Sequence, residues 1–359
     1  MKLSNPHRIR ISIVLAAIAL AAIRFPARWV EDLYSTGLYP PLAAGVKSLT
    51  RWLPVPVLDL LLVTVAIGLP AGWIWKIRAA ETGRKWRAAG RAVLDTLTLA
   101  AALVCAFELL WGLNYQRLPL TSKLDWDSQR VTSQAVLAFA RSNLENLNAE
   151  AVAAHAQPMP EPEQWRAALE RSFQQVVREL GHRRDFTGVA PRTSLVNPFL
   201  DAASVDGFIN PLGYEVILDS HVLPFEQPFL LAHEWSHLAG FADESEANFI
   251  GILACLRGDL PALRYSGRLY LSFYLPRRNT NAADPWPELS PQVLTDISAI
   301  RARAQKHNIP AVSNFQERFY NGFLKANRIP SGILSYGLVT RLIVGTRFEP
   351  NWIPVLRRP

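Results

Sequence analysis

Three long apolar runs open the chain and predict helices that cross a membrane. They cover residues 11–23, 55–75 and 92–113. The second and third are long enough to cross a hydrocarbon core about 30 Å thick, whereas the first is short for a span. Its Ala19-Leu20-Ala21 could also serve as a signal-peptidase site. We therefore predict a membrane domain over residues 1–115 with about three transmembrane helices, a buried helical hairpin of a soluble protein being the alternative.

The hydrophobic pattern changes after residue 115. Apolar residues recur with helical spacing in six segments, which are 131–147, 163–180, 264–275, 291–306, 312–326 and 335–344. The stretch SVDGFINPLGYEVIL, residues 204–218, instead reads as two short strands around a turn. The predicted fold class is therefore mainly α (α+β). Transmembrane helices would be followed, over residues 116–359, by a mostly helical exported domain with a small β-hairpin or sheet.

Charge predicts how this arrangement is oriented. The segment between the second and third runs carries six basic residues against Glu81, while residues 24–51 carry four against two acids. The positive-inside rule places the more basic loop in the cytoplasm. We therefore expect an integral membrane protein, with a cytoplasmic N-terminus and an extracytoplasmic domain after residue 115. Trp111 lies where an aromatic residue of the membrane interface is expected.

The net charge of +8 does not indicate nucleic-acid binding, because much of the positive charge flanks apolar runs. The expected partners are the lipid bilayer and a peptide or protein substrate. The chain has two cysteines, which provide neither a disulfide framework nor a cysteine-based metal site.

One stretch carries candidate chemistry. In FLLAHEWSHLAGFADESEAN, residues 229–248, His233, Glu234 and His237 form the pattern His-Glu-x-x-His. On a helix, positions i and i+4 share a face, so two imidazoles can bind one zinc ion beside the intervening glutamate. The alternative is an amphipathic helix with two partly buried histidines.

Three acids compete for the position of the third zinc ligand. Gly240 predicts a turn into a second helix that starts near Asp243, and Asp243 with Glu246 resembles a capping box. Glu244 is left without a local role, and its spacing to Asn248 looks like that of gluzincin-type peptidases. We favour Glu244 as the ligand, with Asp243, at a metzincin-like spacing, as the alternative.

The chain also resembles a bacterial domain-of-unknown-function family of membrane proteins with three N-terminal spans and a zincin-like exported domain. The similar stretches are WGLNY at 111–115 with Arg117 and Pro119-Leu120, GFINP at 207–211, HEWSHLAGFADESEAN at 233–248 and FLKANRIPSGILSYGLV at 323–339. The resemblance implies a gluzincin-type zinc metallopeptidase. Zn²⁺ would be held by His233, His237 and Glu244, and Glu234 would be the catalytic base.

The expected activity is hydrolysis of a peptide bond by a zinc-activated water, with Glu234 as general base. Tyr336 and Arg341 are candidate donors to the oxyanion. The alternative function is a membrane-bound, zinc-containing sensor or binding module without peptidase turnover. A purely structural zinc site is disfavoured, because it would leave Glu234 without a role.

Overall fold

The computed structural model of the protein describes residues 5–182, 186, 188–276, 286–327, 329 and 338–357, with side chains from residue 8 onward. The described part is mainly helical with little β-structure, which confirms the predicted mainly α class.

The N-terminal region is helical almost throughout. Its α-helices are α1 (Asn5–Ala22), α2 (Ala27–Trp29), α3 (Tyr39–Thr50), α4 (Val57–Val63), α5 (Leu69–Arg78) and α6 (Lys85–Leu110). Two π-helical turns, Val30–Leu38 and Thr64–Gly68, join α2 to α3 and α4 to α5. The segment 24–51, predicted as a loop, therefore contains helices. The local sequence did not indicate these helices, because they are stabilised by packing against the rest of the chain. Tyr34, Tyr39 and Ala43 are the buried residues that make this packing.

Among the described residues, two helices are long and apolar enough to cross a membrane, Val57–Arg78 and Thr82–Leu110. They match the second and third predicted spans, although the last begins about ten residues earlier than its apolar run. A third span is formed only if Arg8–Ala22 and Ala27–Thr50, which meet at 110°, count as one broken helix. Large apolar side chains on both long helices are exposed, as in Ile67 and Leu97. A soluble hairpin would bury them, so the membrane interpretation is favoured.

The remaining chain forms ten further helices among the described residues. They are α7 (Leu120–Lys123), α8 (Ser133–His155), α9 (Pro162–Glu179), α10 (Asn197–Ala203), α11 (Gln227–Leu238), α12 (Glu244–Leu256), α13 (Pro261–Phe273), α14 (Pro291–Lys306), α15 (Pro310–Ala326) and α16 (Val339–Gly345). The strands are β1 (Pro191–Arg192), β2 (Gly207–Asn210), β3 (Glu215–Leu218), β4 (Phe348–Glu349) and β5 (Ile353–Pro354).

The predicted hairpin is present and belongs to a three-stranded sheet of order β1-β3-β2. β2 pairs antiparallel with β3 from Gly207 opposite Leu218 to Asn210 opposite Glu215. β1 pairs parallel with β3 on its other side. Fully buried β3 therefore lies in the middle, and β2 forms an edge beside α11.

One large hydrophobic core holds the described domain together. It is centred on α11 and α12, both of which are buried along nearly their whole length. Val30, Tyr34 and Tyr39 from the N-terminal region belong to the same core. Contacts therefore cross the domain boundary predicted at residue 115, although that boundary itself stays a prediction.

Candidate metal centre

The centre is built on α11, the turn at residues 239–243, and α12. Gly240 has φ +84°, a left-handed conformation that favours glycine. A Cβ added at Gly240 would lie 2.8 Å from Asn114 Oδ1, so a side chain would not fit there. Arg117 fixes the turn by donating from Nη1 to the Gly240 carbonyl at 2.9 Å. The turn folds α12 back against α11 and brings its first residues to the two histidines.

His233, His237 and Glu244 converge on one point, and all three are buried. The two Nε2 atoms are 3.1 Å apart. Glu244 Oε2 lies 3.3 Å from His233 Nε2 and 3.4 Å from His237 Nε2. Within the described residues, this Glu244 oxygen makes no hydrogen bond. A cation bound between the three atoms would give this buried carboxylate oxygen the partner that it lacks.

These three distances fit a zinc ion. Zn–N and Zn–O bonds of about 2.0–2.1 Å in a tetrahedron place neighbouring ligand atoms roughly 3.3–3.4 Å apart. The observed edges of 3.1, 3.3 and 3.4 Å are close to that spacing without rearrangement. Two imidazoles and one carboxylate are also a ligand set that zinc accepts at sites with an open position.

The second histidine is held in the tautomer that a metal requires. His237 Nδ1 is 2.8 Å from the Phe241 carbonyl, which can only accept a hydrogen bond. Nδ1 therefore carries a proton, and Nε2 is the nitrogen that can give up its proton and bind a metal at the centre. Such an outer hydrogen bond commonly orients a ligating imidazole.

Glu234 lies beside the three ligand residues without joining their cluster. Its Oε1 faces Gly207 at the start of β2, where an added Cβ would be 3.5 Å away. Its Oε2 has no hydrogen-bond partner in the described part of the chain. Burial raises the pKa of Glu234 above its ordinary value, although His233 and His237 oppose the shift. The carboxyl group is therefore placed and tuned to accept a proton.

Electrostatic coupling is strong between the ligands. Burial lowers the pKa of His237, but the nearby Glu244 carboxylate outweighs it and raises the pKa to about 9. For Glu244, burial raises the pKa, but the positive charges of the two histidines outweigh burial and hold the pKa well below its ordinary value. In this arrangement the carboxylate stays ionised and favours positive charge at the point where the three atoms meet.

The two competing acids have other positions. Asp243 caps α12, with its Oδ1 accepting from the backbone nitrogens of Ser245 at 2.8 Å and Glu246 at 3.3 Å. This confirms the predicted capping role of Asp243. The predicted partnership of Glu246 in a capping box is wrong, because its carboxylate accepts from the Leu120 nitrogen at 2.6 Å. Burial raises the pKa of Glu246 to about 7.

Sequence reasoning missed two residues that support the ligands. Tyr320 of α15 donates its hydroxyl to Glu244 Oε1. Trp111 donates its indole N–H to the His237 carbonyl at 2.7 Å and is buried, although we expected it at the membrane interface. Its position in the WGLNY stretch of the resemblance was the only signal. No sequence signal pointed to Tyr320, because it lies 76 residues from Glu244.

Three further expectations concern residues near the ligands. Asn248, expected to support a ligand, is buried, but its side-chain nitrogen has no hydrogen-bond partner among the described residues. Tyr336 lies outside the described residues. Arg341 is exposed on α16, and its described hydrogen bond is the one that its carbonyl accepts from Trp126. The structure therefore does not bring Arg341 to the site.

The chain matches a family model described as "Protein of unknown function (DUF3810)" over residues 34–344. It belongs to this family. The match begins at Tyr34 and so includes α3, both candidate membrane-spanning helices and the metal-site helices. Tyr34, Tyr39 and Ala43 belong to the same hydrophobic core as the metal-site helices. Neither the comparison with curated proteins nor that with solved structures found a match.

Proposed function

We propose that this DUF3810 member is a zincin-like, membrane-anchored zinc metallopeptidase. His233, His237 and Glu244 would hold Zn²⁺, and Glu234 would act as general base. The substrate would be a peptide or protein segment on the extracytoplasmic side of a bacterial plasma membrane. The observation that carries the proposal is the triangle of three ligand atoms at zinc spacing with an unengaged carboxylate beside it.

The number of ligands supports catalysis over a purely structural role. Structural zinc sites are usually closed by four protein ligands, whereas catalytic sites use three and leave a position for water. Among the described residues, the group that could hold a metal here has three members. Glu234 is then the additional acid that a catalytic site requires and a structural site does not.

Each residue has a task in the proposed reaction. Bound zinc would act as a Lewis acid, lowering the pKa of a water molecule and polarising the carbonyl of the peptide bond. Glu234 would accept a proton from the attacking water and pass it to the leaving amine. Because burial raises its pKa, Glu234 holds a proton more readily than an exposed glutamate does. His237 is kept in the Nδ1-protonated form by the Phe241 carbonyl.

The position of β2 supports an extended peptide as substrate. β2 is an edge strand, and its first residue, Gly207, lies next to Glu234. An extended chain can add to such an edge through backbone hydrogen bonds. A peptide paired with β2 would pass close to the general base. A Cβ at Gly207 would also lie 2.9 Å from the carbonyl oxygen of Ile217, so glycine is needed where β2 passes β3.

The test separates catalysis from metal binding. Glu234→Gln should keep stoichiometric zinc and lose hydrolysis of a fluorogenic peptide panel by several orders of magnitude, because glutamine cannot accept the proton. His233→Ala should lose both zinc and activity. Glu145→Gln, an exposed change on α8, is the matched control and should keep both.

Two results would count against the proposal. Parental hydrolysis in Glu234→Gln would exclude the general-base mechanism. Stoichiometric zinc in the parent protein without turnover on the panel would favour the zinc-containing sensor or binding module instead.

A further inference from the structure

Helix α15 exposes two large aromatic side chains. Phe315 is 66% exposed and Phe319 is 67% exposed. Their rings stack on each other, with centroids 6.3 Å apart and planes at 20°. Among the described side chains of this helix, Leu324 is the buried one. An exposed aromatic pair of this size marks an interaction surface more often than a solvated face.

The aromatic pair is part of a stripe that starts at a candidate membrane-spanning helix. Phe315, Phe319 and Phe323 follow each other at intervals of four and so share one face of α15. Phe323 packs edge-on against Phe107 of α6 at 6.2 Å and against Tyr115 at 6.1 Å. The exposed rings therefore continue the apolar surface of α6 outward along α15.

Both ends of α15 lie where the candidate spans meet the domain. At its C-terminal end, Lys325 and Ala326 line a cavity together with Ala21 and Ala22 at the end of α1. α15 is about 25 Å long at 1.5 Å per residue.

The N-terminal part of α15 is connected through α10 to the start of another candidate span. α10 packs on α15, and the segment leading into α10 is fixed to α4. There Asp59 accepts from the backbone nitrogen of Leu195 at 3.1 Å and from the Ser194 hydroxyl. α15 therefore runs across the ends of several candidate spans rather than away from them, and so lies at the level of the membrane surface.

The exposed residues next to the stripe suit a lipid surface. Leu195 and Phe199, near the same level, are also largely exposed. Arg318 and Lys325 lie on the adjoining exposed side of α15. An apolar stripe flanked by basic residues is typical of helices that lie in the plane of a membrane interface.

We propose that α15 is an interfacial helix that inserts Phe315 and Phe319 into the lipid leaflet on the domain side of the membrane. Arg318 and Lys325 would reach the phosphate headgroups. Continuity of the stripe with α6 favours lipid over a second copy of the chain as the occupant. Because Tyr320 follows Phe319 and donates to Glu244, the lipid-contacting helix also touches a metal ligand. The metal centre thereby lies next to the membrane surface.

The test measures depth directly and needs no enzyme activity. A nitroxide is attached at Phe315→Cys or Phe319→Cys in the full chain, in a Cys105→Ser background. Cys255 is fully buried and can stay. The protein is reconstituted into vesicles of phosphatidylcholine and phosphatidylglycerol. Collision rates of each label with oxygen, which concentrates in lipid, and with a water-soluble nickel chelate are compared. Glu317→Cys, which is exposed about 200° around the helix from Phe315, is the matched control.

Both aromatic positions should collide more with oxygen than with nickel, and position 317 should show the reverse. A nickel-dominated rate at 315 and 319 would overturn the proposal. Protection from both reagents, with spin–spin broadening that disappears on dilution with unlabelled protein, would assign the surface to a second copy. Melting temperature checks that each labelled variant is folded. The two aromatic positions are independent, so one misfolded variant leaves the other decisive.

Discussion

Trp111 donates its indole N–H to the carbonyl of His237 at 2.7 Å. Trp111 is the residue that follows α6, and His237 is the second histidine of the metal centre. The carbonyls at the end of a helix lack partners within it, and α11 obtains two of them from the N-terminal region. Trp111 bonds His237, and Tyr39 donates its hydroxyl to the Leu238 carbonyl at 2.5 Å. The end of α11 is therefore positioned by residues of the N-terminal region.

The first prediction follows from this hydrogen bond. Trp111→Phe keeps an aromatic ring but removes the donor, so α11 should lose part of its support at His237. We expect zinc affinity to fall about tenfold, the lower end of the range for outer supporting residues. Competition against a chelator measures it. Trp75→Phe, at an exposed position, is the control and should bind zinc as the parent does. Equal affinity in both variants would show that Trp111 does not position the ligand.

The second prediction decides the third ligand. Glu244→Ala should give a folded, metal-poor protein, because the oxygen that faces both histidines is lost. Asp243→Ala should keep its zinc and lose about 1 kcal/mol of stability, since Asp243 caps α12. Zinc stoichiometry and thermal melting of the two purified variants measure these effects. Full zinc in Glu244→Ala together with loss in Asp243→Ala would replace the gluzincin-like ligand set with the metzincin-like one.

Much of the centre was predictable from sequence because its residues are neighbours. His233, Glu234, His237 and Glu244 lie within twelve positions, so helix periodicity and one glycine turn largely determine their arrangement. The capping role of Asp243 was predictable for the same reason. The role of Glu246 was not predictable, because the backbone nitrogen that it binds is 126 residues away.

The fold was predictable where hydrophobic period alone determines an element, as in α14, whose predicted and observed bounds agree at residues 291–306. The helices within 24–51 were missed because their buried face is narrow. Tyr39 donates to a carbonyl at the end of α11, and no local sequence pattern indicates a contact across 199 residues. Long-range contacts of this kind also explain why Trp111 was assigned to the interface.

The third prediction concerns pH and His182. Burial, followed by the positive charges of Arg117 and Lys123, holds the pKa of His182 well below its ordinary value. Arg117 Nη2 lies 3.2 Å from His182 Nε2 and donates to it, so the folded protein keeps this imidazole neutral. Below pH about 6.5 the unfolded chain binds a proton here that the folded chain does not, so stability falls as pH falls.

His182→Gln retains an acceptor for Arg117 but cannot titrate. Its melting temperature should therefore fall less than the parent's between pH 7.5 and 5.5. In terms of the free energy of unfolding, the pH dependence of the two proteins should differ by at most about 1.4 kcal/mol per pH unit. Protonation of the zinc-site histidines affects both proteins alike. Equal decreases would mean that His182 is not the titrating group.

The fourth prediction concerns orientation. The segment between α5 and α6 is the more basic loop, so a reporter fused after Arg84 should report a cytoplasmic location. A reporter at the C-terminus, after the last strand, should report export. This second fusion leaves the domain intact, unlike one within residues 116–359. Export of the Arg84 fusion would place the metal centre on the cytoplasmic side.

The N-terminal contacts also determine whether a proteolytically released domain could function. Glu31 accepts a bidentate pair of hydrogen bonds from Arg117, each at 3.0 Å, and Arg117 in turn holds the Gly240 turn. Cleavage between residues 50 and 116 that released the remainder would strip out Tyr39 and leave Arg117 a buried charge without its partner. Proteolytic secretion would therefore yield an inactive fragment. The domain would function only while it remains joined to its N-terminal region.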